Sequence, residues 1–159
     1  MSIRLPIAPP STRREFCASA CRAASLAVAG TFVGCGGSPT SPSTSAPQLS
    51  SVAGTLAGRT ISVTLAAASA LASVGSAALV QTSLGTFLVA RTGQDSFSAL
   101  TAVCTHDMCT VTGFESNQFV CPCHGSRYTT AGAVANGPAP RPLQQYATQV
   151  SDGVLTFTV

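Results

Sequence analysis

Cys104-Thr105-His106-Asp107-Met108-Cys109 and Cys121-Pro122-Cys123-His124-Gly125-Ser126 are the two stretches on which the reading turns. Together they hold four of the seven cysteines and both histidines of the chain. Two thiolates and two imidazoles at these spacings can converge from two loops on one metal centre. Such a set suits tetrahedral zinc as well as an iron–sulfur cluster, and spacing alone does not choose between them. The remaining cysteines, Cys109 and Cys123, each follow a ligand box closely. In an exported protein they can pair as a disulfide that ties the loops together, a staple that a zinc knuckle does not need.

Outward from the boxes, strand signals dominate. Gln118-Phe119-Val120 leads directly into Cys121. Ala78-Leu79-Val80-Gln81-Thr82 and Thr86-Phe87-Leu88-Val89-Ala90-Arg91 are apolar runs with β-branched or aromatic members and Gly85 as a turn between them. Thr60-Ile61-Ser62-Val63-Thr64-Leu65 alternates strictly, as does Val154-Leu155-Thr156-Phe157-Thr158-Val159 after the turn pair Asp152-Gly153. Residues 65–79 are Ala-rich and compatible with a helix, but Gly75 and three serines weaken it. Short strands with close turns predict an all-β sandwich or barrel over residues 52–159, with one modest core.

The boxes resemble those of the Rieske iron–sulfur family, in its high-potential, disulfide-containing branch. That family has a Cys-x-His box and a Cys-x-x-His box, and the second box here matches its Cys-Pro-Cys-His-Gly-Ser run at every position. The match extends through Tyr128, the Gly137-Pro138-Ala139-Pro140 run and the closing Gly153-Val154-Leu155 pattern, covering roughly the last 70 residues. The resemblance implies an antiparallel β domain with a small cluster-binding subdomain, about residues 102–142, formed by two loops. It implies one [2Fe–2S] cluster, with Cys104 and Cys121 on one iron and His106 and His124 on the other. It implies a Cys109–Cys123 disulfide. It also implies hydrogen bonds from Ser126 to a bridging sulfide and from Tyr128 to a cysteine sulfur.

Replacing two thiolates by neutral imidazoles removes negative charge, so an electron is added more easily. Rieske potentials accordingly run from roughly −150 to +300 mV against about −400 mV for all-cysteine plant-type clusters. Donors such as Ser126 and Tyr128 push the same way, which predicts the upper part of that range. Exposed imidazole ligands would couple reduction to proton uptake, so the potential should fall as pH rises above neutrality. A pH-flat titration would count against them.

The first box departs from the respiratory pattern Cys-Thr-His-Leu-Gly-Cys, because Asp107 and Met108 replace the Leu-Gly pair. A carboxylate there disfavours the reduced state and makes the surface less suited to an apolar quinol.

At the N-terminus, Ser11-Thr12-Arg13-Arg14-Glu15-Phe16-Cys17 resembles a twin-arginine export signal. The apolar stretch that follows, residues 23–34, falls short of the about 20 residues that span a bilayer and suits a signal peptide. Phe32-Val33-Gly34-Cys35 resembles a lipobox, with Phe32 where Leu is usual, which implies cleavage before Cys35 and its lipidation. Cleavage elsewhere and an uncut short anchor are the other outcomes. Residues 36–51 are rich in Gly, Ser, Pro and Thr and carry no charge. They read as a tether with a mean reach of about 20–25 Å. The expected organisation is therefore a signal over 1–35, a linker over 36–51 and the domain over 52–159, exported and membrane-tethered on the periplasmic side.

All eight basic residues are Arg, and the net charge of +3 belongs wholly to the first 35 residues. Beyond them four Arg face four acids: Arg59, Arg91, Arg127 and Arg141 against Asp95, Asp107, Glu115 and Asp152. A neutral domain has no electrostatic footprint for nucleic acid. A terminal oxygenase would need further histidines for a mononuclear iron, and both are used. The expected role is one-electron transfer as the iron–sulfur subunit of a membrane quinol-oxidising complex of the cytochrome bc type, not a complete enzyme alone. Its partners would be a b- or c-type cytochrome, with quinol as a possible substrate. The alternative is a lipid-tethered carrier, or the small subunit of another periplasmic oxidoreductase such as the arsenite oxidase type.

Overall fold

The computed structural model describes residues 46–65 and 70–159. The export signal, Cys35 and residues 36–45 of the expected linker lie outside the described residues. Thirteen strands and no helix occur among the described residues.

A five-stranded sheet forms the middle of the domain. Its order is β1 (Ser50–Ala53), β4 (Ala77–Thr82), β5 (Gly85–Arg91), β6 (Phe97–Thr101), β11 (Gln145–Tyr146). Side chains alternate along a strand, so both faces can be apolar only if both are covered. Leu79, Leu88, Ala90 and Leu100 point into one buried cluster, and Ala78, Val80, Phe87, Val89 and Ala99 into another. This explains why β4 and β5 read as continuous apolar runs, and it gives two cores where one was expected.

On one face packs the sheet β12 (Thr148–Ser151), β13 (Val154–Thr158), β3 (Thr60–Thr64), β2 (Thr55–Ala57). Its inner residues Ile61, Val63, Leu155 and Phe157 are buried, and their neighbours are the polar residues that made β3 and β13 alternate. On the other face lies the sheet β10 (Val134–Asn136), β9 (Arg127–Thr129), β8 (Gln118–Val120), β7 (Gly113–Glu115). It contributes Phe119 and Tyr128 to the core of Leu79, Leu88, Ala90 and Leu100, together with Cys104 and Cys121.

The sheets are antiparallel except for one pair, β1 with β4. This pair also moves the expected boundary at residue 52. The Phe114 N–H donates to the Pro47 carbonyl at 2.9 Å, and the Leu49 N–H donates to Thr112 at 2.8 Å. Ser50 and Ser51 then pair with β4. Residues 47–51, low in hydrophobicity, bond through their backbone, which composition does not register. Gly113 permits the approach, since a Cβ there would lie 3.0 Å from the Ala46 Cβ and 3.1 Å from the Val120 carbonyl.

The ambiguous stretch has turns over 70–75 and becomes strand at Ala77. Arg91 holds it, donating from Nη1 to the carbonyls of Ala72 at 2.7 Å and Leu71 at 3.3 Å. The hairpin turn between β4 and β5 is Ser83-Leu84, and Gly85 already belongs to β5, paired with Thr82.

Candidate metal centre

Each box closes by the same pair of backbone hydrogen bonds. In the first, the Cys104 N–H donates to the Cys109 carbonyl at 2.8 Å and the Met108 N–H to the Cys104 carbonyl at 3.1 Å. In the second, the Cys121 N–H donates to Ser126 at 2.9 Å and the Gly125 N–H to Cys121 at 3.0 Å. Both loops need a left-handed residue at their fifth position, Met108 at φ +52° and Gly125 at φ +75°. Glycine adopts this freely; for Met108 it costs about 1 kcal/mol. The departure at Met108 thus falls where the loop itself favours glycine.

This geometry sorts the side chains. The first residue of each loop points inward, and Cys104 and Cys121 are each only 1% exposed. The imidazoles of His106 and His124 are exposed, with ring centroids 4.8 Å apart in an edge-to-face arrangement. Cys109 and Cys123 form a disulfide that joins the loops. Their sulfurs and that of Cys121 lie within 4.8 Å of one another. Disulfide sulfurs are not thiolate donors, so this trio is not a metal site. The donors that remain are two buried free thiols and two exposed imidazoles, a set whose chemistry fits a [2Fe–2S] group with mixed ligation.

Polar partners surround the thiols. The Tyr128 hydroxyl is 3.3 Å from the Cys104 sulfur, accepts the Thr105 N–H at 3.1 Å and lies 3.2 Å from the Thr105 hydroxyl. Thr105 Oγ1 donates to the Arg141 carbonyl at 2.7 Å. A Cys104 thiolate can only accept, which makes Tyr128 the donor in that state. The buried Ser126 hydroxyl accepts the Ala139 N–H at 3.1 Å, so its own proton is left to donate. Ala139 belongs to the 137–140 run, where the Gly137–Pro138 peptide is cis.

The two thiols differ electrostatically. Burial pushes the Cys104 thiol up, but the Tyr128 hydroxyl, the backbone of His106 and Asp107 and the Cys121 thiol together hold it below its ordinary value. Burial raises Cys121, and Cys104 adds to the rise against the opposing Cys123 backbone. Burial and the Cys104 contact raise the Tyr128 phenol, which therefore keeps its proton. One flank of the site opens to a groove of about 430 Å³ lined by Val103, Cys104, Thr105, Met108 and Arg141 among others.

The structure brings Cys104, His106, Cys121, His124, Ser126, Tyr128 and the Cys109–Cys123 pair together. Asp107 and Met108 are exposed beside them. The sequence reading did not single out Thr105 or the Ala139 N–H. Thr105 lies inside a box and was open to suspicion as a hydroxyl next to a ligand candidate. A backbone donor leaves no trace in sequence.

Buried thiols beneath exposed imidazoles, on two stapled loops of an all-β domain, define an iron–sulfur electron-transfer class of protein. Residues 62–147, more than half of the chain, match the family model of the Rieske [2Fe-2S] domain, and the chain belongs to that family. Relatives include the cytochrome b6-f complex iron-sulfur subunit of Chlorobaculum tepidum, 40% identical over 65 residues, 40% of this chain and 36% of that one. The corresponding subunit of a Cyanothece species is 50% identical over 60 residues, 37% of this chain and 34% of that one. The match thus spans about a third of the length of these relatives. Naphthalene 1,2-dioxygenase with indole bound in its active site superposes with a TM-score of 0.51 at 18% identity, covering 61% of this chain and 25% of that one. That likeness shows the fold alone.

Proposed function

We propose that this chain carries single electrons in a membrane quinol-oxidising complex of the cytochrome bc type. In this reading Cys104 and Cys121 hold one iron of the [2Fe–2S] cluster and His106 and His124 the other. The observation that carries it is the layering of the donors: two free thiols 1% exposed, under two imidazoles at the surface. The group when bound supplies a one-electron couple. The chain's residues set its surroundings. Cys104 and Cys121 lie in an apolar core that excludes water, and Tyr128 and Ser126 have protons to donate toward the sulfurs. The exposed imidazoles provide the edge through which a partner is reached. Relatives named as b6-f iron-sulfur subunits favour such a complex.

The twin-arginine signal and Cys35 complete the proposal. Residues 1–35 act as an export signal, Cys35 is lipidated, and the domain is held on the periplasmic side of the membrane. The Asp107-Met108 pair, with Met108 75% exposed, favours a second reading: a tethered carrier, or the small subunit of another periplasmic oxidoreductase that does not bind quinol. Purification from gently solubilised membranes, followed by a haem stain, separates them. Co-purified b-type haem is expected of the first reading and a haem-free preparation of the second. A colourless protein with no low-temperature paramagnetic signal after dithionite would overturn both. Mass spectrometry of the mature N-terminus tests Cys35.

A further inference from the structure

Four cysteines crowd the site, and only two can be committed to iron. The Cys109 and Cys123 sulfurs of the disulfide both lie within 4.8 Å of the Cys121 sulfur. Cys121 in turn shares its buried cluster with Cys104, the other free thiol. A disulfide and two free thiols therefore lie together in one small region of the fold.

We propose that, when its cluster is absent, the domain is a self-contained thiol–disulfide exchange system that transfers the disulfide from Cys109–Cys123 to Cys104–Cys121. This rests on the ligand set proposed above, because it makes the two resolving thiols the two iron ligands. In the first step the Cys121 thiolate attacks the Cys109 sulfur. The Cys109–Cys123 bond breaks, a Cys109–Cys121 bond forms and Cys123 leaves as a thiolate. Attack on Cys123 instead would close a small ring across Pro122, two residues apart, and is disfavoured. In the second step the Cys104 thiolate attacks the Cys121 sulfur, forming Cys104–Cys121 and releasing Cys109 as a thiolate. One disulfide and two thiols enter and the same leave, so no external oxidant or reductant is required. With Cys104 and Cys121 committed to iron, neither is free to attack, and the disulfide stays on Cys109–Cys123. Loss of the cluster thus converts the site into a form whose two ligand sulfurs are bonded to each other. Reloading then requires the reverse exchange, by the same two steps run backwards.

The test uses the full chain. Loaded protein is stripped of iron by a chelator under argon at acid pH, and the released sulfide is purged as hydrogen sulfide. The buffer is then made mildly alkaline with no thiol or oxidant added. Samples are quenched with acid, alkylated and mapped by peptide mass spectrometry. The Cys109–Cys123 peptide should decline over minutes to hours, the span of uncatalysed disulfide rearrangement, as Cys104–Cys121 rises. Cys104→Ser and Cys121→Ser, each lacking a proposed iron ligand, are carried through the same steps without prior loading: the first should stop at Cys109–Cys121, and the second should keep Cys109–Cys123 throughout. Wild-type protein that retains Cys109–Cys123 overturns the inference. So does loss of that bond at the same rate in Cys121→Ser. The ligand reading is judged separately, on iron content and the paramagnetic signal before stripping. A loaded protein whose stripped disulfide does not move defeats the exchange alone.

Discussion

Tyr128 is fully buried, yet its ring ends in a hydroxyl that must find partners in a place water does not reach. It finds Thr105 and the Cys104 sulfur, which is why a phenol occupies a position where phenylalanine would pack equally well. Tyr128→Phe should therefore leave the fold intact and lower the reduction potential. A lost hydrogen bond to charge is worth about 1 kcal/mol or more, which for one electron is roughly 40 mV. Protein-film voltammetry checks it, and an unchanged potential would mean that the hydroxyl serves Thr105 alone. Met108 makes the opposite case, a side chain held in a backbone conformation that suits glycine. Met108→Gly should gain about 1 kcal/mol in denaturant melts of the cluster-free domain, because the left-handed strain disappears. At this scale the site was legible where chemistry narrows the choice. The chain has only two histidines, and each stands two or three residues after a cysteine. The Ala139 N–H was not legible, since its part is set by where folding puts a backbone group, and Thr105 was legible only as a hydroxyl beside a ligand candidate.

Elements show where pattern reading works and where it stops. β3 and β13 alternate because each has one wet face, and their registry pairs Ile61 with Phe157 and Val63 with Leu155. β5 and β6 are buried on both faces, so their sequences announce burial without saying against what. One polar atom remains in that doubly buried layer: Ser98 Oγ has no hydrogen-bond partner among the described residues. Ser98→Ala should thus be neutral or stabilising, by up to about 1 kcal/mol, because a buried hydroxyl without a partner costs free energy; thermal melts measure it. The N-terminal strand behaves differently, being held by backbone bonds and by the missing Cβ of Gly113. Gly113→Val should push residues 46–49 off β7 and destabilise the domain by about 1–3 kcal/mol, the range of overpacking. Limited proteolysis should then cut near Leu49 sooner than in the native chain. A cleavage pattern that did not change would show the segment to be held by β4 alone.

Across the whole molecule the central sheet is shared property. One face belongs to the core that holds Cys104 and Cys121, the other to the core under β3 and β13. The two cores depend unequally on the site. Cys104, Cys121, Phe119 and Tyr128 are buried together, and the disulfide between the loops closes over them with a separation of 14 residues. Closing a loop of that size contributes about 3 kcal/mol. The opposite core contains no cysteine and touches neither loop. Its strands are joined by long backbone ladders, with five paired residues between β13 and β3 alone. Removal of the cluster therefore acts on one side of the shared sheet. Amide hydrogen exchange in residues 102–143 should speed up after iron is stripped, while β3 and β13 keep their protection. Reducing the disulfide in the stripped protein should extend the loosening over β7 to β9 and still spare β3 and β13. Exchange read peptide by peptide decides between this and its rival. If protection falls equally in β3, β13 and β8, the sheet transmits the loss, and the two cores stand or fall as one unit.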